Sequence, residues 1–136
     1  MTTPDLHAIA AVVYRFFAGL DARDHGACAA LMAHDGVWHR QGAELVGPTA
    51  VLAALERRDP ARQTAHLVTN LWIEDADASQ ARVRFYLSAH EVRIDADGRA
   101  GPVQLAGLRD CTDELVRQDG QWRIRSKTSR RLLSAE

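Results

Sequence analysis

A histidine interrupts an otherwise apolar and β-branched stretch of the sequence. Residues 63–74 read QTAHLVTNLWIE and have the composition of a β-strand, yet His66 stands where a valine would pack better. Imidazole is the side chain whose ordinary pKa lets it take up and release a proton near neutral pH. His66 is therefore a candidate general base; the alternative is a core or dimer-interface histidine whose ring is hydrogen-bonded.

A carboxylate stands at the end of the first predicted helix. Asp21 follows Phe17 by four positions and Leu20 by one, so it lies near the apolar stripe at the helix C-terminus. An exposed carboxylate there faces the negative end of the helix dipole, which costs about 0.3–1 kcal/mol. A neighbouring cation, such as a protonated histidine, would offset that cost. The alternative is that Asp21 only forms an Asx-type turn in LDARD.

The first part of the chain reads as three helices and a short hairpin. The segment TTPDLHAIAAVVYRFFAGLD is the clearest helix, with Thr3 as its cap and Pro4 at its first position. A second short helix is capped by Asp24. A hairpin follows with Gly42 in its turn, and a third helix begins at Pro48.

Long strands follow the third helix. The predicted strands, separated by the turn-forming clusters DADAS, DADGRAG and QDG, are 63–74, 80–94, 102–117 and 121–132. Three helices followed by an antiparallel meander predict one α+β domain, 1–136, with the helices packed on one face of a curved sheet. Such a sheet, closed at one end by a helix, forms a cone whose cavity is expected to bind a small molecule.

Composition and charge argue against several classes of protein. The 136 residues carry a formal charge of -1, which argues against a nucleic-acid partner, and the basic run RIRSKTSRRLL is interpreted as the solvated face of an edge strand. No apolar run approaches the roughly 20 residues that span a bilayer, and no signal segment opens the chain, so no membrane partner is expected. Cys28 and Cys111 have neither disulfide-framework nor zinc spacing, which predicts a protein of the reducing cytoplasm.

The order of helices and strands, with the ending DELVRQDGQWRIRSK, resembles the NTF2-like superfamily in its SnoaL-like branch. The resemblance covers essentially the whole chain and implies the same cone. GLDARD (19–24) and TAHLVTN (64–70) resemble the segments that carry an Asp–His dyad in scytalone dehydratase, hexachlorocyclohexane dehydrochlorinase and bile-acid dehydratase. The resemblance implies that His66 removes a proton and that Asp21 orients it. It also implies a second catalytic histidine, His90, in YLSAHEVRI.

The resemblance is incomplete at the positions that handle the leaving group. In the dehydrochlorinase and the bile-acid dehydratase a polar residue precedes the aspartate by five positions, and here that residue is Phe16. The tyrosine that assists scytalone dehydratase corresponds to His39 or a neighbour, and the dehydrochlorinase arginine maps near Lys127. Trp38 and Tyr86 have polar tips suited to a cavity wall or to a dimer interface. These five residues are the predicted substrate contacts.

An Asp–His pair supplies a base without a cofactor. A carboxylate bonded to one ring nitrogen fixes the tautomer and leaves the other nitrogen to take a proton. The carboxylate raises the imidazole pKa while burial lowers it, which can hold the base near neutral pH. No phosphate-binding glycine loop and no nucleophile elbow occur, so no cofactor is predicted. The alternative is a metal site of His39, His66 and His90, although neither His-x-His nor His-Glu-x-x-His is present.

Three functions are compatible with this pattern. The first is a cofactor-independent lyase of dehydratase type, or an isomerase, acting on a small, apolar, cyclic substrate, with His90 or His39 as the acid. The second is a non-catalytic small-molecule-binding module, which Phe16 favours. The third is an accessory subunit resembling the β chain of ring-hydroxylating dioxygenases, disfavoured because those chains carry an arm before the first helix. An open sheet face predicts a homo-oligomer, dimer or trimer, in each case.

Overall fold

The computed structural model describes residues 4–133, in which helices pack against a sheet. The helices are α1 (Leu6–Asp21), α2 (His25–Ala30) and α3 (Gly47–Glu56). The strands are β1 (Met32–Arg40), β2 (Ala43–Val46), β3 (Arg62–Ala76), β4 (Gln80–Arg93), β5 (Gln104–Gln118) and β6 (Gln121–Arg131). The predicted α+β fold, three helices with a mainly antiparallel sheet, is confirmed. None of the helices in the described part of the chain is both long and apolar enough to cross a membrane.

The six strands form a sheet in the order β2-β1-β6-β5-β4-β3. Neighbouring strands are antiparallel except for β1 and β6, which are parallel. Strand β6 therefore lies between β1 and β5, and the edge position interpreted for RIRSKTSRRLL is wrong where β1 pairs with it, at Ile124, Ser126 and Lys127. Its solvated face is present, since Arg125, Arg130 and Arg131 are exposed. The physical reason is that β1 follows α2 back onto the sheet and pairs with β6, a long-range contact. The edge strands of the sheet are β2 and β3.

Helix α1 begins later than its sequence predicts, because Asp5 rather than Thr3 caps it. The Asp5 carboxylate accepts a hydrogen bond of 3.0 Å from a backbone N–H of the first turn. Pro4 therefore precedes the cap instead of taking the first helical position, and Thr3 lies outside the described residues. Asp24 caps α2 as predicted, with a corresponding bond of 3.2 Å.

The hydrophobic core lies between α1 and the sheet. Ile9 and Phe16 of α1 are fully buried in one apolar cluster with Phe85 of β4 and Ile124 of β6. This burial fixes the apolar stripe of α1 against the strands. The C-terminal residue of the helix, Asp21, is thereby brought to the edge strand β3.

A bulge in β3 changes which of its side chains face the helices. The pairing of β3 with β4 is interrupted around Asn70, whose φ is 53°. Val68 packs on the core before the bulge and Leu71 after it, a step of three residues in place of two. His66 lies on the N-terminal side of the bulge, on the same face as Val68.

Gly36 of β1 is predicted not to tolerate even alanine. A Cβ at Gly36 would overlap the carbonyl oxygen of Ile124, where the pairing of β1 with β6 is irregular. Because the obstructing atom belongs to the backbone of an interior strand, Gly36→Ala should lower the free energy of unfolding by about 1–3 kcal/mol. Urea denaturation followed by tryptophan fluorescence measures the change.

Gly26→Ala in α2 is the matched control. A Cβ there meets nothing within 4 Å, and alanine should stabilise the helix by about 0.5–1 kcal/mol. A neutral Gly36→Ala variant would contradict the close approach of β1 and β6.

Candidate active site

The Asp21 carboxylate joins the end of α1 to β3. Its Oδ1 accepts a hydrogen bond of 2.8 Å from Thr64 Oγ1 and lies 2.6 Å from His66 Nδ1. Its Oδ2 accepts a bond of 2.7 Å from the His66 backbone N–H. The structure therefore brings together the two residues that the sequence predicts as a dyad.

The edge position of β3 makes this contact available. Alternate N–H groups of an edge strand point away from the sheet and need another acceptor. The His66 N–H is such a group, and Asp21 accepts it. One carboxylate therefore binds both the backbone and the ring of His66, which fixes the ring relative to the strand.

Arg58, two residues beyond α3, places a cation at the C-terminus of α1. Its guanidinium donates to the Leu20 carbonyl oxygen and to Thr64 Oγ1, each at 3.2 Å. A cation such as a protonated histidine was predicted at this helix end, and the cation that the structure places there is an arginine. The positive charge offsets the negative end of the helix dipole. Hydrogen bonds run without interruption from Arg58 through Thr64 to Asp21 and His66.

The contact with Asp21 determines the chemistry open to His66. An ionised carboxylate at Nδ1 favours the tautomer that carries its proton there, so Nε2 is the basic nitrogen of the neutral ring. Burial lowers the pKa of His66 from the ordinary 6.5, the Asp21 carboxylate opposes this effect, and Arg58 and Arg62 reinforce it. The His66 side chain is 10% exposed. His66 is thus a neutral base at pH 7.

A cavity of about 360 Å³ adjoins His66. Small-molecule sites in proteins occupy about 300–1,000 Å³. Three of the predicted substrate contacts, Trp38, His39 and Lys127, line this cavity. Its apolar wall also includes Phe17, Leu20, Phe85 and Leu87.

A buried ion pair forms part of the cavity wall. Lys127 Nζ donates to Asp113 Oδ2 at 2.8 Å, and the two residues are direct partners on β6 and β5. The ammonium also lies 4.3, 4.9 and 5.9 Å from the ring centroids of Phe16, Phe17 and Phe85. Burial raises the pKa of the Asp113 carboxyl, and the Lys127 charge opposes that rise. An ion pair whose ammonium lies against three aromatic rings is therefore held inside an otherwise apolar region.

Three predicted site residues do not line the cavity. Phe16 is fully buried in the core, where its ring supports Lys127. Tyr86 and His90 lie on the face of β4 opposite to Phe85 and Ala89, which line the cavity. The structure corrects their assignment to this site, because strict alternation along β4 turns their side chains away from it.

The cavity offers neither a cluster of metal ligands nor a reactive thiol among the described residues. His39 and His66 line the cavity but His90 does not, and within residues 4–133 no group of three His, Cys, Asp or Glu side chains is arranged to hold a metal ion. Cys111 lines the cavity, but burial raises the pKa of its thiol to about 12, so it is not a nucleophile at neutral pH.

The arginines of the site and one carboxylate were not predicted from the sequence. Arg40, Arg58, Arg62 and Arg109 line the cavity, although arginines in a run such as ERRDPAR ordinarily point into solvent. Their placement depends on where α3 ends relative to β3, which the sequence does not reveal. Asp113 could have been found from the sequence, because it shares a face of β5 with Cys111 and Leu115. A carboxylate on such an apolar face indicates that a cation lies beside it in the folded protein.

Comparison with known proteins now identifies the family. A model of the SnoaL-like domain matches residues 1–128. The chain belongs to the SnoaL-like domain family. The resemblance to the NTF2-like superfamily in its SnoaL-like branch is confirmed. No curated protein sequence matches the chain.

Solved structures share the fold of this SnoaL-like domain. Aln2 from a Streptomyces species is 23% identical, with 96% of this chain and 94% of that chain covered and a TM-score of 0.76. Two proteins from Novosphingobium aromaticivorans are also similar. An NTF2-like protein with a cystatin-like fold is 18% identical over 96% and 84% of the chains, with a TM-score of 0.78. A proposed scytalone dehydratase is 21% identical over 94% and 84%, with a TM-score of 0.77.

Asp21→Asn should lower the pKa of His66. The amide removes the charge that favours the imidazolium, while the burial that disfavours it remains. We expect a fall of about one unit or more, equivalent to about 1.4 kcal/mol of coupling. Titration of the His66 ring signals by NMR measures it.

Asp24→Asn is the control, because Asp24 caps α2 without bonding to His66 and asparagine caps about as well. It should leave the His66 pKa unchanged. If Asp21→Asn also leaves that pKa unchanged, the two residues are not coupled.

Lys127→Met should destabilise the SnoaL-like domain more than replacement of the whole ion pair. The single variant leaves Asp113, whose side chain is 1% exposed, buried without its cation, which costs about 3–5 kcal/mol. The double variant Lys127→Met/Asp113→Leu removes both charges and should recover most of that loss. Urea denaturation compares the two. If the double variant were as unstable as the single one, the lost stability would come from packing and not from an unpaired buried charge.

Proposed function

We propose that this protein is a cofactor-independent lyase of dehydratase type, or an isomerase, acting on a small, largely apolar, cyclic substrate. One observation carries the proposal: Asp21 Oδ1 lies 2.6 Å from His66 Nδ1 in the wall of the cavity. This contact supports a base that is oriented, neutral before reaction and stabilised once protonated.

His66 begins the reaction by removing a proton from carbon. Nε2 takes the proton from a carbon next to a carbonyl, and the electron pair passes into an enolate. Asp21 then stabilises the imidazolium that forms. Expulsion of hydroxide from the neighbouring carbon gives the alkene of a dehydration, and return of the proton to another carbon gives an isomer.

Lys127 is suited to stabilise the oxygen that becomes negative. Its Nζ lies 4.9 Å from the Phe17 ring centroid, and the His66 ring centroid lies 5.4 Å from the same point. The base and the ammonium therefore flank one aromatic ring, within the span of one small substrate. A fixed charge of this kind in an apolar region stabilises a developing oxyanion more than it would in water.

His39 is the candidate acid for the leaving group. It lines the cavity with its side chain 43% exposed, and its Nδ1 lies 3.7 Å from Glu44 Oε1. Exposure lets the ring recover a proton from solvent after each turnover. The flat rings of Phe17, Trp38 and Phe85 in the same cavity favour a planar or cyclic substrate.

The proposal includes a homo-oligomer. Large exposed side chains, Leu67, Trp72 and Tyr86, lie outside the cavity wall on β3 and β4. An exposed apolar patch on a sheet is the kind of surface that a second copy covers.

His66→Gln should abolish turnover while leaving the fold intact. The test screens cyclic β-hydroxy carbonyl compounds for loss of water by mass spectrometry. On a compound that wild type converts, we expect kcat/KM to fall by about 10²–10⁴ or more, because no base remains. In wild type, kcat/KM should rise with pH through an apparent pKa below 6.5, since burial depresses that of His66.

His90→Gln is the matched control, because His90 lies on the other face of β4 and should be dispensable. Circular dichroism checks that both variants fold. Near-wild-type turnover by His66→Gln would refute the mechanism.

A non-catalytic binding module is the second candidate. Phe16 favours it, because this fully buried side chain occupies the position at which the dehydrochlorinase and the bile-acid dehydratase that the sequence resembles carry a polar residue. A ligand that raises the melting temperature and is recovered unchanged would support this candidate.

A further inference from the structure

We propose that the substrate carries a carboxylate, and that Arg40 and Arg58 hold this group in the part of the cavity wall that also includes His39, Gln41 and Arg62. The inference rests on the proposed function and deepens it, because it names the chemical class of the substrate for the same cavity.

Cations outnumber anions in the cavity wall. Asp113 is the one carboxylate among the described residues that line the cavity, and it is bound to Lys127. The positive charge of the arginines is therefore not balanced within the wall. These arginines are Arg40, Arg58, Arg62 and Arg109.

Arg62 is the cavity arginine that has a carboxylate partner within residues 4–133. Its Nε donates to Glu91 Oε2. Arg109 instead donates to the hydroxyl and the carbonyl of Ser129, at 3.1 and 3.2 Å, which are neutral acceptors. The charge of Arg109 remains uncompensated, but its donors are partly occupied.

Arg40 and Arg58 have no carboxylate partner in the described part of the chain. Arg58 donates to the Leu20 carbonyl and to the Thr64 hydroxyl. The guanidinium carbon of Arg40 lies 4.9 Å from the Trp38 ring centroid, a contact with the aromatic face that uses none of its N–H donors. These donors lie in the plane of the guanidinium and can bind an anion there. Both residues are half-buried.

The two guanidinium groups also repel neighbouring cations. Burial lowers the pKa of Arg40 and of Arg58, and in each case Arg62 is the next cause. Arg40 contributes to the lowering at Arg58, which places the two groups within electrostatic range of each other. A bound anion would relieve both the desolvation and the repulsion.

A carboxylate matches this arrangement better than a neutral oxygen does. The planar guanidinium presents parallel N–H donors that fit the two carboxylate oxygens. Arg58 is linked through Thr64 to Asp21, so an anion at Arg58 lies beside the dyad. With its charge there, the apolar body of the substrate would lie against Trp38 and the carbon to be deprotonated near His66.

The test compares 2-naphthoate with 2-naphthalenemethanol, which share one ring system and differ in charge. Isothermal titration calorimetry at low salt should show naphthoate binding about tenfold more tightly or better, as expected for charge-assisted hydrogen bonds. Added sodium chloride should weaken the binding of naphthoate and not that of the alcohol. Arg40→Gln should remove most of the preference.

Arg82→Gln is the matched control, because Arg82 pairs with Glu114 at 3.1 Å and does not line the cavity. It should keep the wild-type preference. Arg58→Gln, checked by circular dichroism because Arg58 also bonds to Leu20, should lower the preference as Arg40→Gln does. Equal affinities for the two compounds, a preference untouched by Arg40→Gln, or no binding of naphthoate at about 1 mM would overturn the proposal.

Binding and turnover measurements on the His66→Gln variant and the wild type separate the carboxylate proposal from the lyase proposal. His66→Gln should retain the preference for naphthoate, because the arginines remain. Retained preference without turnover of any carboxylate-bearing compound would count against the lyase alone. Turnover of neutral substrates without the preference would count against the carboxylate alone.

Discussion

The Asp21 carboxylate lies at the negative end of the α1 dipole and accepts hydrogen bonds from a hydroxyl, a backbone N–H and an imidazole of β3. The first two donors, from Thr64 and His66, hold it whatever the protonation state of the ring. The same contact secures the end of the helix to the edge strand and sets the tautomer of the base. The packing of helix on sheet and the chemistry of the site therefore depend on the same two oxygen atoms. Arg58 offsets the electrostatic cost of this arrangement, because it brings a positive charge to the last turn of α1.

The charges around the cavity have opposite effects on the pKa of His66. Burial favours the neutral His66 ring, as do Arg58 and Arg62, whereas Asp21 favours the protonated ring. The net effect is a pKa of His66 below its ordinary value. A base that is neutral at pH 7 can accept a proton, so the surrounding cations serve the proposed reaction before any substrate is bound. The same cations leave positive charge in the wall of the cavity. Suppressing protonation of the base and attracting an anionic substrate are in this sense two consequences of one cluster of arginines.

The parts of the site that could be predicted are those set by local pattern. The apolar stripe of α1 ends at Asp21, and His66 interrupts a strand, so both were visible before the fold was known. His90 and Tyr86 alternate with Phe85 and Ala89 along β4, and this period-two pattern in the sequence indicates that their side chains face away from the cavity. The parallel pairing of β1 with β6 and the inward turn of Arg58 could not be predicted, because they depend on contacts between segments far apart in the chain. Long side chains such as arginine reach either solvent or a cavity from the same backbone position.

Several of the polar groups at this cavity bond to one another in the folded protein, and the others limit what the cavity can do. Asp21 is occupied by Thr64 and His66, and Lys127 and Asp113 bind each other. Among the described residues that line the cavity, the groups left to engage a ligand include the second nitrogen of His66, the His39 ring, the remaining donors of Lys127 and the guanidinium donors of Arg40. A base nitrogen without a positioned nucleophile beside it suits abstraction of a proton from carbon better than hydrolysis, which needs both. Free guanidinium donors in the wall of the same cavity orient a substrate by its charge, so that one carbon, and not another, meets the base.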